Sequence, residues 1–559
     1  MTGQGTQDRQ EGSRSLSSGK TMSVPEGSVV DMFAETVARH GSNICTEFLG
    51  KKQTYRQISN QIDRLARGLQ GLGIGKGSRV GLFLPNCPAF VVAYYAILET
   101  GATVVNFNPL YVEREIAAQI QDSGLDTMIT LDLKALYNKL ENLRGKTSLK
   151  RLIVASMADM LPFPKSLLFR LLKRREIAHI SRDENHLRLS DLMANDGQVR
   201  PVTINPKEDV AVLQYTGGTT GVPKGAMLTH TNLRANAEQA FLIYTNAEPG
   251  NERILCVIPF FHVFAMTAGM NMGIRLGAEM VLLPRFELEN LIRAIDRTRP
   301  TLFPAVPTIY TAINLHKRLD RFDLRSIRLC VSGGAPLPVE VKLAFEKNTG
   351  SRLVEGYGLT EASPVVCCNP ADGINKTGSI GLPLPGTTVS IRSLEDPHQE
   401  VPRGEKGELC VKGPQVMKGY WNRPEETERV FVDGFLRTGD VARIDEDGYV
   451  FIVDRIKDVI IAGGYKIWPR NVEEAVYLHS AVAECLVIGV PDTYRGQSVK
   501  LFVRLKEGQA LTAEALKEFL QDKLSPIEMP RAVEFRDSLP KTLIGKLDRK
   551  ALRKEEGLE

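Results

Sequence analysis

No cysteine pair in this sequence has the spacing of a metal site. The eight cysteines are scattered, only Cys367 and Cys368 are adjacent, and no Cys-x-x-Cys or Cys/His pattern occurs. Zinc and a disulfide framework are therefore disfavoured, and small buried thiols in a reducing cytoplasm are expected. Charge of one sign is also lacking: a net +5 over 559 residues makes no case for a nucleic-acid partner. The first 21 residues hold only Met1 and Leu16 as large aliphatics and no aromatic. They lack the apolar centre of a secretory leader and read as a disordered tail, with Met22 a candidate start. No covalent lipid motif is present. Long apolar runs are rare too. Ile254 to Ile274 contain no Asp, Glu, Lys or Arg, a length that could cross a bilayer. Pro259, His262, Gly269, Asn271 and Gly273 interrupt that stretch, so a buried segment lining a cavity is expected instead.

What is present is a large apolar inventory, 43% hydrophobic against 25% charged, enough for a sizeable core and at least two domains. Thr54 and Gln57 form a capping box ahead of Ile58, Ile62, Leu65, Leu69 and Leu72 at helical spacing. There follow a strand-like Val80 to Leu84, a helical stretch from Pro88 to Thr100, and an apolar Ala102 to Val105. A helix from Glu113 to Asp122 and a strand-like Thr127 to Leu131 continue the pattern. This alternation predicts an α/β body with largely parallel sheets. A boundary is expected at Asp454 to Asp458. Beyond it, strand candidates at Cys485 to Val490 and Lys500 to Leu505 and a helix candidate from Ala513 to Leu524 suit a small α+β domain. The expected division is a tail at 1–22, an N-terminal domain at 23–456 and a C-terminal domain at 457–559.

The most informative stretch is Tyr215-Thr-Gly-Gly-Thr-Thr-Gly-Val-Pro-Lys-Gly225. Gly217, Gly218 and Gly221 let backbone N–H groups converge on an anion without Cβ atoms in the way. Thr216, Thr219 and Thr220 add hydroxyls, Lys224 adds a cation, and the preceding Val210 to Leu213 suits a buried strand. The common nucleotide loop needs Gly-Lys followed by Ser or Thr, whereas here Pro223 precedes the lysine and Gly225 follows it. A ligand-free surface turn is the plain alternative, but so many hydroxyls beside a lysine favour phosphate.

This run resembles the loop of the adenylate-forming superfamily, which includes acyl-CoA synthetases, firefly luciferase and the adenylation domains of peptide synthetases. Four more stretches match in that family's order: Glu355-Gly-Tyr-Gly-Leu-Thr-Glu361, Arg437-Thr-Gly-Asp440, Asp454-Arg-Ile-Lys-Asp458 and Pro540-Lys-Thr-Leu-Ile-Gly-Lys546. The resemblance runs from Val29 to Arg553. It implies a large N-terminal part of helix-covered sheets and a small mobile C-terminal domain, with the active site between them. It also implies attack of a carboxylate on the α-phosphate of ATP, giving acyl-AMP and pyrophosphate, then displacement of AMP by the thiol of coenzyme A. A carboxylate is already a nucleophile, so no Ser–His–Asp set is required and none is visible. Cations and backbone amides would carry the catalysis.

By this resemblance the phosphate loop, Thr216, Gly217, Gly218, Thr219, Thr220, Gly221 and Lys224, cradles ATP, and Glu361 with Thr216 holds Mg²⁺. Glu355, Gly356, Tyr357, Gly358, Leu359 and Thr360 contact the nucleotide, Tyr357 offering its face to adenine. Gly334, Ala335 and Pro336 supply backbone from the other side. Asp440 accepts the ribose hydroxyls, an Asx turn being the plain alternative. Arg455 contacts the nucleotide and Lys457 marks the hinge. Lys546 reaches the α-phosphate and the acyl carboxylate, although nothing physical singles it out among 71 Lys and Arg residues. Gly464, in Ala-Gly-Gly-Tyr, matches the loop beside the pantetheine tunnel.

Phe260-Phe-His-Val-Phe-Ala-Met266 corresponds to the acid-pocket segment, with catalytic His262 at the tunnel mouth and Phe261, Phe264 and Met266 as pocket residues. Small residues and flexible Met suit an alkyl chain, as they would ordinary core packing. The similarity is closest to bacterial long-chain fatty acid–CoA ligases, carried by Asp433-Gly-Phe-Leu-Arg-Thr-Gly-Asp440 and Asp454-Arg-Ile-Lys-Asp-Val-Ile460. Arg437 stands where His is usual, and Met266 where some relatives carry a tryptophan gate. The expected protein is thus a cytoplasmic ligase using ATP, Mg²⁺ and coenzyme A. A medium-chain or aryl acid–CoA ligase competes, as does, from another class, a carrier-loading adenylation module. Leu161 to Ile180 interleave Leu and Phe with Lys165, Arg170, Lys173, Arg174 and Arg175. The expectation is a surface helix with its apolar face packed on the body. The alternative is an anionic membrane surface, which would make the protein peripheral on the inner face. Small-molecule partners are expected, and monomer and homodimer are both open.

Overall fold

The structure is a computed structural model that describes residues 22–181, 183–216, 223–542 and 545–558. Of the tail expected at 1–22, only Met22 lies within the described residues.

Two mainly parallel sheets share one apolar core. A seven-stranded sheet runs through Arg151–Ala155, Thr127–Leu131, Arg79–Phe83, Thr103–Asn106 and Val210–Thr216 in parallel and closes on antiparallel Lys224–Thr229. A nine-stranded sheet carries Glu279–Leu282, Arg253–Cys256, Leu302–Ala305, Leu329–Ser332 and Arg352–Gly358 in parallel, followed by antiparallel Val365–Cys368. Both faces of these sheets are covered: every residue of Thr127–Leu131 and Glu279–Leu282 is buried, which calls for near-continuous apolar runs rather than alternation. Helix Pro88–Glu99 is buried from Pro88 to Leu98, the position expected of a helix apolar on all sides. The capping box forms as its sequence predicts, Gln57 N–H donating to Thr54 Oγ1 at 3.2 Å and Thr54 N–H to Gln57 Oε1 at 2.8 Å.

A third, antiparallel sheet includes Gly407–Lys412, Phe435–Ile444 and Val450–Arg455. After it the chain enters a five-stranded sheet, Tyr465–Ile467, Ile460–Ala462, Gly496–Leu505, Val482–Asp492 and Ala532–Phe535, with its own apolar cluster under helices Pro469–Tyr477 and Ala513–Leu520. The fold is thus an α/β body of helix-covered sheets plus a small α+β domain. The strands of this domain run longer than their apolar runs because hairpin pairing continues from Val482 opposite Leu505 to Asp492 opposite Gly496.

The charge-free stretch from Ile254 folds as a strand, a turn and a buried helix that includes the wide turn Met266–Asn271. Among the described residues no helix is long and apolar enough to cross a membrane. One expectation needs correction. Helix Lys165–Leu172 has no buried residue, so its apolar face is not packed on the body; only Phe169 leans inward.

Helix His230–Ile243 holds the site-bearing strands through buried amides. Asn236, fully buried, donates Nδ2–H to Val365 O at 2.8 Å and accepts the Val365 N–H on Oδ1 at 2.9 Å. Asn236→Ala strands the Val365 N–H and leaves its carbonyl only the Gln415 Nε2–H at 3.4 Å, so a loss of about 1–3 kcal/mol is expected in denaturant titration. Asn236→Asp should recover only the N–H acceptor.

Candidate active site

The carboxyl ends of both parallel sheets open on one cleft of about 2090 Å³, walled on its far side by the small domain. This is where loops of such sheets leave backbone groups free for a ligand. Thr216 and Lys224 are opposite one another across the hairpin that frames the phosphate loop. Gly217, Gly218, Thr219, Thr220 and Gly221 lie outside the described residues. Thr216, Lys224, Gly334, Ala335, Pro336, Glu355 through Glu361, Asp440, Arg455 and Lys457 all line the cleft, as do Phe261, His262, Phe264 and Lys546.

Local backbone rules explain several positions. Gly334 has φ +84°, a backbone conformation that favours glycine, and its open face lies against the end of the Lys546 side chain, which a Cβ would displace. A Cβ on Gly358 would fall on the Pro364 carbonyl. Gly333 leaves room for the Phe264 ring, which brings the apolar wall against the 333–336 loop. Asp440 and Arg455 are register partners on neighbouring strands. Arg455 Nε lies 3.2 Å from Asp440 Oδ1, while the Tyr357 hydroxyl donates to Oδ2. An ionised carboxylate has further lone pairs, so Asp440 can still accept a diol. Arg437, the departure from the expected His, pairs with buried Glu408 at 2.7 Å, and the other Glu408 oxygen accepts the Gly439 N–H at 3.1 Å. That pair fixes the turn carrying Asp440.

Lys546 arrives from the small domain. Its turn is anchored by the Thr308 hydroxyl, which donates to Gly545 O at 2.7 Å. Burial, with Arg455 adding repulsion, pushes the Lys546 ammonium down to about 8. Burial and the nearby Lys546 push His262 down to about 3, so this imidazole is neutral at working pH. His262 Nδ1 accepts the Phe264 N–H at 3.3 Å, which assigns the ring proton to Nε2. His262 is therefore a neutral donor rather than an acid–base group. Glu355 is buried and its carboxyl is raised to about 7 by desolvation, with the Leu337 N–H 3.3 Å from Oε1.

Sequence reading missed the partners of Glu361 and Lys224. Segment 417–421 runs along the Lys224–Thr229 strand, with Trp421 N–H donating to Gly225 O at 2.8 Å and Met227 N–H to Gly419 O at 2.9 Å. This register puts Tyr420 between the two groups: its hydroxyl donates to Glu361 Oε1 at 2.7 Å, and Lys224 Nζ lies 5.3 Å over its ring. Glu426 forms an ion pair with Lys224. No sequence spacing ties residue 420 to residue 361; the link is tertiary. Two expected site residues stand off the cleft wall. Met266 is fully buried, its Sδ accepting from Asn106 Nδ2 at 3.3 Å. Gly464, φ +83°, sits on an exposed hairpin turn with nothing within 4 Å of a would-be Cβ.

Among the described residues no cluster of three or more His, Cys, Asp or Glu side chains makes a self-sufficient metal site. A magnesium ion that bridges phosphates takes few protein oxygens, and the single half-buried Glu361 beside the ends of both hairpin strands fits that donor set.

The two parallel sheets, the glycine-rich loops at their carboxyl ends and the cation delivered by a second domain define a nucleotide-dependent acid-activating enzyme. The chain belongs to the AMP-binding enzyme family, which matches residues 33–421, and the AMP-binding enzyme C-terminal domain matches residues 471–546. It is 47% identical to the long-chain-fatty-acid–CoA ligase of Bacillus subtilis (strain 168), covering 95% of each chain. It is 36% identical to the feruloyl-CoA synthase of Amycolatopsis sp, covering 93% of this chain and 96% of that one. Among solved structures, the anthranilate CoA ligase AuaEII in complex with anthranoyl-AMP aligns at TM-score 0.84 and 27% identity, covering 95% and 98% of the two chains. ATP-bound MatB from Rhodopseudomonas palustris aligns at TM-score 0.82 and 28% identity, covering 95% and 100%.

Tyr420→Phe removes a donor to an ionised carboxylate, an interaction of about 1.5–3 kcal/mol. The apparent Mg²⁺ activation constant in ATP–pyrophosphate exchange should rise about tenfold, with KM for the acid unchanged. A second expectation concerns pH. If the free enzyme needs charged Lys546, kcat/KM for adenylation falls as pH rises through about 8. Lys546→Arg, slower but always charged, should lack that descending limb.

Proposed function

We propose that this protein is an AMP-forming long-chain fatty acid–CoA ligase. It uses ATP and Mg²⁺ to convert the acid to acyl-AMP and pyrophosphate, then transfers the acyl group to coenzyme A with release of AMP. The observation that carries this reading is the position of Lys546: a half-buried cation beside Gly334, facing a cleft with an apolar wall on one side and the phosphate-loop lysine on the other.

The chemistry follows from charge. Lys546 and Lys224 set positive charge where negative charge gathers as the carboxylate meets the α-phosphate. Asp440 and Tyr357 orient the ribose and adenine, and the backbone of 334–336 closes the other side. The neutral His262 donates Nε2–H at the mouth of the acid pocket without competing for a proton. Phe261, Phe264, Val263 and Ala268 provide the alkyl surface. Glu361 and Thr216 would hold Mg²⁺, which would supply charge neutralisation at the phosphates. The 95% coverage of the Bacillus subtilis ligase supports the long-chain assignment.

The domains divide at 456/457, with Lys457 as the hinge in the turn Ile456–Asp458 that links the third sheet to the small domain. Gly464 faces solvent while Lys546 occupies the cleft, so a rotation about Lys457 would exchange them. The protein works in the cytoplasm and peripherally at the inner membrane face, where its substrate resides.

ATP–pyrophosphate exchange over acids from acetate to oleate and coumarate should show preference for C12–C18; a preference for coumarate or acetate overturns the chain-length assignment. Lys546→Ala should slow adenylation by about 10²–10³ yet still convert supplied acyl-AMP to thioester. Gly464→Leu, at a positive φ and hence checked for an unchanged Tm, should form acyl-AMP but little acyl-CoA. Equal loss of both half-reactions in both variants would falsify domain alternation.

A further inference from the structure

Helix Lys165–Leu172 turns its apolar side to solvent. Phe169 packs against the body, while Leu167, Leu168, Leu171 and Leu172 are 51%, 48%, 66% and 76% exposed. Spacing of i, i+1, i+4 and i+5 sets these four leucines on one stripe, opposite Phe169. Phe163, in the turn before the helix, is 83% exposed. Scattered surface leucines need no explanation, but five large apolar groups on one short segment form a patch of the kind that binds something.

The charge around the patch identifies what. From Pro162 to Arg175 the chain has five basic residues and no acidic one. Arg170 pairs with Asp159 at 2.5 Å and Lys173 with Glu176 at 2.7 Å. Lys165 Nζ donates to Leu49 O at 2.9 Å, which roots the segment on the body. Arg174 and Arg175 are exposed and have no carboxylate partner among the described residues. A second copy docking through the same face would bring these basic residues against their equivalents, an arrangement that like charge opposes. An apolar stripe rimmed by unpaired cations instead matches acyl chains beneath anionic headgroups. Eight residues of helix reach only about 12 Å, so the segment lies in the interface rather than spanning it.

We propose that residues 162–175 are a membrane-docking element. It inserts Phe163, Leu167, Leu168, Leu171 and Leu172 among the acyl chains of an anionic bilayer, with Arg174 and Arg175 on its headgroups. The inference stands on the exposed face and draws its purpose from the proposed function, because a long-chain acid partitions into that bilayer.

The test is co-sedimentation of the full-length protein with vesicles of phosphatidylcholine plus phosphatidylglycerol, or of phosphatidylcholine alone. Binding should favour the anionic vesicles and weaken as salt rises. Leu171→Ser/Leu172→Ser and Arg174→Gln/Arg175→Gln should each lower the partition coefficient about tenfold. Tm and turnover of detergent-dispersed substrate should stay unchanged, since these side chains touch neither core nor cleft. A wild-type protein that stays in the supernatant, or variants that bind as it does, overturns the proposal. So does a dimer in sedimentation velocity that Leu171→Ser/Leu172→Ser dissolves, which would assign the face to a second copy. Vesicle binding without acyl-CoA formation would leave docking standing and remove the ligase reading; turnover without vesicle binding would do the reverse.

Discussion

A half-buried ammonium without a carboxylate partner is the constraint around which this cleft is organised. Among the described residues Lys546 Nζ has no ion pair, and burial has already lowered its proton affinity. Desolvating a cation in this way is costly unless an anion completes the site. The small domain holds it there regardless, through the Thr308–Gly545 bond and the missing side chain at Gly334. Burial first, and this cation second, keep His262 neutral on the cleft floor.

Around that cation the other charges are arranged in pairs that leave one side open. Asp440 is held by Arg455 and Tyr357, Glu361 by Tyr420, and Lys224 by Glu426. Each partner orients its group without saturating it, which is how pre-organised sites avoid reorganisation during reaction. The parallel sheets make this possible by bringing loops from distant parts of the chain to one edge.

Local chemistry made much of this legible beforehand. The capping box at Thr54, the buried strands and the glycine-rich loops follow from rules acting over a few residues. The family resemblance pointed to Lys546 when its own surroundings in sequence did not. Tyr420 was missed because its partner lies in the distant turn Thr360–Ala362, reached only when segment 417–421 runs along the Lys224–Thr229 strand. Met266 was expected on the pocket wall; it lies fully buried directly behind the cleft-lining Asn106, a placement set by tertiary packing. The outward leucines of helix Lys165–Leu172 were likewise unreadable. Periodicity reports that a helix has an apolar face, and only the neighbours decide whether that face is covered.

The sequence by itself determined the α/β class, the alternation of helices and strands, and the family to which the chain belongs. These depend on short-range sterics and on patterns of a few residues. Tertiary structure alone decided which cation meets which carboxylate, which imidazole stays neutral, and which apolar face remains in water. Those outcomes depend on burial and on distances between groups hundreds of residues apart, and no local pattern encodes them.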